Sequence, residues 1–273
     1  MHADEIKSLV LSLDADCVGI ASRANYEKLE PNANLDILVR GAQSLIIFGI
    51  WMGDGAIESP SEVVQSQHLM IIYDELNRVA LKLARELEKA GHRASTIPPH
   101  LPIEMSKETK GLIGPVSLRH AAEAAGLGTL GLNRLLIHPR FGARLRLGGV
   151  VTDAPLRPDA PLAESPCDKC MACVQACPVS AISEDGKTDV VACTRNNFPY
   201  GLSNLIKRLA DLAMEGSQED WKKFVKSTDF WNYYQALSLG LFYCCFECQK
   251  ACPIGLSKQV RRDPPTPPFE KAT

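Results

Sequence analysis

The sequence predicts a mixed α+β (α/β) fold in two parts, and three observations carry that expectation. Short apolar, β-type runs alternate with a long amphipathic segment over residues 1–153. A proline-rich stretch, 154–166, then interrupts the chain. Beyond it, nine of the ten cysteines crowd between Cys167 and Cys252.

An amphipathic opening helix precedes the short strand "CVGIAS", Cys17 to Ser22. The run "SLIIFGIWM", Ser44 to Met52, is continuous enough to be a strand buried on both faces. "SEVVQSQHLMIIYDELNRVALKLARELEKAG" is the longest helix, with Ser61 as N-cap and Gly91 as its stop. Ser95 to Pro115 reads as loop, and "SLRHAAEAA" as an alanine-rich helix. "RLRLGGVVTD", Arg144 to Asp153, reads as a closing strand whose Gly148 and Gly149 mark a bulge or a close backbone approach. Residues 154–166 form a linker or extended arm. The cysteine-rich part, 167–257, carries a helical insertion over 203–243, and 258–273 is a Pro-rich basic tail expected to be disordered.

Composition narrows the function. The chain has 273 residues, 45% hydrophobic and 23% charged, with a formal net charge of −2. These are the proportions of a globular protein with a sizeable core, and no global field recruits nucleic acid or an anionic membrane. The N-terminus lacks a charged-then-apolar signal layout, and no run of eighteen apolar residues occurs. A cytoplasmic chain without membrane partner is expected. Disulfides belong to oxidising compartments and mostly to small secreted domains, so clustered cysteines here point to metal.

The spacing identifies the metal chemistry. Cys167-x2-Cys170-x2-Cys173-x3-Cys177-Pro178 is the bacterial ferredoxin run. In that run the first three thiolates take three corners of one 4Fe–4S cube, and the fourth serves the other cluster. A second group, Cys245-x2-Cys248-x3-Cys252-Pro253, lies further on, and Cys193 stands between the two. Exchange of the fourth cysteines gives Cys167, Cys170, Cys173 and Cys252 to one cluster. The other receives Cys177, Cys193, Cys245 and Cys248. The plainer alternative is structural zinc, which paired C-x2-C knuckles also build. Zinc does not require the three-spaced cysteine with proline after it, here present twice. Cys244 is left as a bystander beside a ligand, and Cys17 as a small buried hydrophobe.

"AAGLGTLGLNRLL" contains Gly126-x-Gly128-x-x-Gly131, the outline of a dinucleotide-binding turn. That fingerprint needs a strand before it and a helix after it. Here a helix precedes it, and Pro139 and Gly142 leave no room for a helix after it, so the dinucleotide reading fails.

The combination resembles the epoxyqueuosine reductases, cobalamin-dependent iron–sulfur enzymes related to the reductive dehalogenases. The matching stretches are "AGLGTLGLNRLLIHPRFGARLRLGGVVTD", "CDKCMACVQACPVSAI" and "YCCFECQKACP", in which the family usually has glycine at Cys244. The resemblance implies an N-terminal cobalamin-type reductase module joined to a dicluster ferredoxin-like domain. It implies clusters that feed single electrons to a corrinoid, with Gly126, Gly128, Gly131 and Asn133 letting backbone approach that flat cofactor. Two departures bear on the substrate. The family's proton-donating aspartate falls near Leu112, where no acid stands, and its Asp-Tyr-His stretch is here Ile72-Tyr73-Asp74. The chain also lacks the helical repeats with which the reductases grip tRNA. A nucleic-acid substrate is therefore not expected.

Tyr73 and His120 are the candidate catalytic groups, a phenol and an imidazole within reach of a cavity. Structural roles, packing for Tyr73 and a hydrogen bond for His120, are the simpler reading of each. Arg134, Arg140, Arg144 and Arg146 form a basic run, read as a solvated face ahead of a grip on an anion. Lys107 and Lys110 read as solvated charges. "WNYYQALSLGLFY" is expected to shield the second cluster from water. The function expected is an oxidoreductase passing electrons from a ferredoxin or flavodoxin through two 4Fe–4S clusters to a corrinoid or small substrate. The alternative is a dicluster electron carrier that docks to a partner redox enzyme. A homodimer is compatible with either.

Overall fold

The computed structural model describes residues 2–100, 114–241 and 243–255. Lys107, Lys110, Leu112 and the tail 258–273 lie outside the described residues. So do Phe242, within the insertion, and residues 101–113 of the loop expected from Ser95 to Pro115.

Helix α1 (Ala3–Ser12) buries Ile6 and Val10, one turn apart, and leads to β1 (Cys17–Ser22). After α2 (Arg23–Leu29) comes β2 (Ser44–Trp51), in which every residue but the last is buried. A short helix, α3 (Asp54–Ile57), precedes α4 (Glu62–Lys89). Ser61 caps α4 through the amide of Val64, and Gly91 ends it in the left-handed region at φ +88. Leu69, Ile72, Leu76, Val79, Leu83 and Leu87 recur every three or four residues and form its buried stripe. Each such side chain contributes ~1.5–3 kcal/mol by leaving water.

Strand β3 (Ala94–Ile97) stands where loop was expected from Ser95 onward. Then come α5 (Leu118–Ala124), the two-residue strands β4 (Thr129–Leu130) and β5 (Leu136–Ile137), and β6 (Leu145–Thr152). The main sheet runs β1-β2-β6-β3 with every pair antiparallel. It is thus an α+β sheet without parallel βαβ units. Alternation along β2 sorts the core into two layers. Leu45 and Ile47 pack toward α2 and α5, whereas Ile46, Phe48 and Ile50 pack toward α1 and α4. The β2–β6 register runs without a bulge through Gly148 and Gly149. Gly148 is a close approach instead, since a Cβ there would press on the Phe48 ring.

The proline-rich stretch is an arm, pinned along the free edge of β1. Asp159 donates its amide to the Ile20 carbonyl and accepts the Ile20 amide on its carboxylate, both at 2.8 Å. Beyond it lie α6 (Ala172–Gln175), α7 (Val190–Asn197), α8 (Leu202–Glu215), α9 (Gln218–Lys226), α10 (Thr228–Leu239) and α11 (Glu247–Lys250). Among the described residues no helix is long and apolar enough to cross a membrane.

Candidate functional site

The first cysteine loop winds tightly because Lys169 and Met171 both adopt left-handed backbone, at φ +57 and +66. Successive turns of this kind point amide hydrogens inward and bring thiols three residues apart to one side. Cys167, Cys170 and Cys173 then face Cys252 across an open pocket, with Asn133 and Ile137 on its wall. Cys173 is held protonated by burial and then by the nearness of Cys252, Cys167 and Cys170. Burial likewise raises Cys252, which feels Cys167 and Cys170 while accepting amide hydrogen bonds from Ile254 and Ala143.

The other four thiols form a second group. Burial and then Cys177 and Cys245 raise Cys193, on α7. Cys245 is raised by burial and stands close to Cys177, and its amide donates to Asn197 at 3.1 Å. Cys248 is pushed up to about 12 by burial, with Cys245, Cys193, Cys173 and Cys177 around it. Cys173 and Cys248 therefore mark where the two groups meet, and α6 packs on α11 there. Cys170 and Cys193 are exposed. Among the described residues no three His, Cys, Asp or Glu side chains close around a single ion. The tetrathiol pocket fits a sulfur-ligated cluster in its donor set.

The glycine turn is packed closely by the chain itself. A Cβ on Gly126 would strike the Ala160 carbonyl, and one on Gly128 the Ile137 carbonyl. A Cβ on Gly131 would strike the Ile137 side chain. At all three positions the chain's own atoms fill the space a Cβ would need, so close packing within the fold by itself requires glycine there. These glycines allow β4 and β5 to fold into a hairpin whose outer end walls the tetrathiol pocket. Asn133 belongs to that wall, and its Oδ1 accepts the Leu135 amide at 3.2 Å.

Tyr73 and His120 are not brought together. His120 lies on the α5 face of the sheet, its Nδ1 engaged by the Glu30 carboxylate and the Ser117 hydroxyl. Tyr73 lies on the α4 face, half-buried against a cluster of Met52, Ile57, Leu69 and Phe246 that Cys244 also joins. Its ring is 4.1 Å from that of His100. Arg146, facing α4 from β6, lies over the Phe246 ring at 5.6 Å and donates to the Tyr73 oxygen. Burial raises the Tyr73 pKa, and the Arg146 charge opposes that rise. Burial also pushes Cys244 up to about 11.

The basic run divides, since Arg134 and Arg140 are exposed as a solvated face requires and the other two are not. Arg144 is fully buried, its guanidinium donating to Asp54 at 3.0 Å and to Glu58 at 2.6 Å. Arg146 is partly buried, and its Nε is enclosed without a hydrogen-bond partner. Sequence reasoning missed both, because β6 alternation alone cannot say that acids on α3 wait opposite. The aromatic stretch divides. Tyr243 is buried, whereas Trp231 and Tyr234 are more than half exposed and do not shield the thiols.

Known proteins resemble this chain in the first cysteine group and in the fold. Residues 162–183 match the 4Fe-4S binding domain model. The chain is 29% identical over 190 residues to an epoxyqueuosine reductase of Aliivibrio fischeri, covering 70% of this chain and 40% of that protein. It is 32% identical over 164 residues to a tetrachloroethene reductive dehalogenase of Desulfitobacterium hafniense, covering 58% and 27%. It therefore spans less than half the length of either. The solved epoxyqueuosine reductase of Streptococcus thermophilus shares the fold at a TM-score of 0.57 and 18% identity, over 93% of this chain and 66% of that one. The chain thus carries a 4Fe-4S binding-domain match and is similar to epoxyqueuosine reductases and reductive dehalogenases.

Proposed function

We propose that the chain is a reductase in which Cys167, Cys170, Cys173 and Cys252 hold one 4Fe–4S cluster and Cys177, Cys193, Cys245 and Cys248 hold a second. The observation that carries this is the sorting of eight thiols into two groups of four that meet at Cys173 and Cys248. Bound clusters supply single electrons at a potential set by burial and hydrogen bonds to sulfur. The exposed Cys170 and Cys193 mark where a ferredoxin- or flavodoxin-type donor would exchange electrons.

The substrate side is the region of Tyr73 and Arg146, reached from Cys245 through the adjoining Cys244. Tyr73 would give a proton to a small molecule reduced there, and Arg146 would stabilise the phenolate left behind. No step is assigned to a corrinoid, because the close internal packing at Gly126, Gly128 and Gly131 accounts for these glycines without one.

Anaerobic purification with iron, sulfide and cobalt analysis tests the reading. About eight iron and eight sulfide per chain are expected from two cubes. Stoichiometric zinc with little iron overturns it. The exposure of Cys170 and Cys193 also suits a second reading, an electron carrier for a partner enzyme. A carrier would exchange electrons equally well with Tyr73 replaced by phenylalanine.

A further inference from the structure

The buried guanidinium of Arg144 does more than pair with two acids. Its Nη2 also donates to the carbonyl of Lys250 at 3.2 Å, at the end of α11 and two residues before Cys252. The preceding residue, Ala143, directs its amide to the Cys252 sulfur, and Ala143 and Cys252 share one buried apolar cluster. Met52 donates its amide to the Arg144 carbonyl at 2.9 Å, which ties the same residue to the cluster against which Tyr73 packs. One side chain thus fastens α3, the start of β6 and the last cysteine loop together. Asp54 and Glu58 balance its charge, so the site next to Cys252 holds one cation against two anions.

We propose that Arg144 is a positioning residue for the first cluster. It holds the Cys252 corner against the N-terminal module and sets the charge beside it. The inference rests on the cluster assignment above. Loss of the guanidinium leaves two acids facing the Cys252 loop, which loosens that corner and makes reduction of this cluster harder. Removal of one acid does the reverse, because the cation is then less balanced. A residue that served folding alone would not give opposite shifts.

Wild type, Arg144→Met, Arg144→Lys and Asp54→Asn are reconstituted anaerobically with ferrous iron and sulfide. Iron content, electron paramagnetic resonance during a redox titration, and the thermal midpoint of the metal-free proteins are then measured. Arg144→Met should lose about half the iron or show a lowered potential for one cluster only, with the other unchanged, since four of eight thiols serve each cluster. Arg144→Lys should restore iron, and Asp54→Asn should raise the potential of the affected cluster. Full iron and unchanged potentials in Arg144→Met, or equal loss of both clusters from a folded protein, overturn the proposal. If Arg144→Met does not fold, Asp54→Asn decides alone, and unchanged potentials there overturn it. Wild type that takes up no iron sinks the cluster assignment itself, a result distinct from a wild type and variant that behave alike.

Discussion

The carbonyl of Ile254 occupies the place a Cβ on Gly142 would take, and Gly142 sits in the left-handed region at φ +56. The loop after β5 and the chain leaving Cys252 therefore lie backbone against backbone. Gly142→Ala should destabilise the metal-free protein, ~1–3 kcal/mol from the left-handed backbone alone. Displacement of Ile254 should also weaken iron binding at Cys252. Gly55, with open space around its Cβ, is the control, and Gly55→Ala should leave both unchanged. Denaturant melts and iron assays check the pair. Equal behaviour of the two variants would refute the contact.

Cys193 stands apart in sequence from both cysteine groups yet beside Cys177 and Cys245 in space. Cys193→Ala should therefore remove about half the iron, the share of one four-iron cube in two. The resonance signal of the remaining cluster should match that of wild type. A full iron complement would show that the fourth ligand has been misassigned.

Gly128→Val should fail for a reason internal to the fold. The added side chain meets the Ile137 carbonyl, so the β4–β5 hairpin opens and the variant unfolds more readily without any cofactor present. Thermal melts with and without cobalamin separate the two accounts. A variant as stable as wild type that had lost only cobalamin binding would restore the cofactor cradle.

The thiol of Cys17, raised by burial from its ordinary 9.0 to about 12, imposes a pH dependence on stability. A pKa raised on folding contributes stability that is whole below pH 9 and is lost as pH climbs toward 12. The slope is about a tenfold change in folding constant per pH unit for one proton. Cys17→Ala should flatten that part of the curve relative to wild type in denaturant titrations of the reduced, metal-free protein. Parallel curves would mean that Cys17 ionises freely in the folded state.

Tyr73→Phe should keep the iron content and nearly all the stability, because the ring packing against Phe246 and His100 is retained. If Tyr73 supplies the proton, substrate reduction should slow by roughly 10²–10⁴-fold, the usual weight of a positioned acid. Single-turnover oxidation of reduced protein reads this directly. Undiminished turnover would favour the carrier reading.

The features legible before folding were local. The three-residue cysteine spacing sets which thiols one tight loop can gather, and it needs no neighbours to be recognised. β1 keeps its sequence-derived bounds, and α4 starts after Ser61, because alternation, periodicity and capping are properties of a few consecutive residues. β3 escaped notice because "ASTI" is short and only its last residue is buried, so its pairing with β6 supplies what its own pattern lacks. The meaning of Gly126, Gly128 and Gly131 depended on which atoms fill the space at each missing Cβ. Those atoms come from Ala160 and Ile137, which no local pattern links to the glycines. Arg144 looked like solvated charge among neighbouring arginines, and only the approach of Asp54, Glu58 and Lys250 makes its burial stable. Burial of a charge is decided by partners distant in sequence, and tertiary structure alone assembles them.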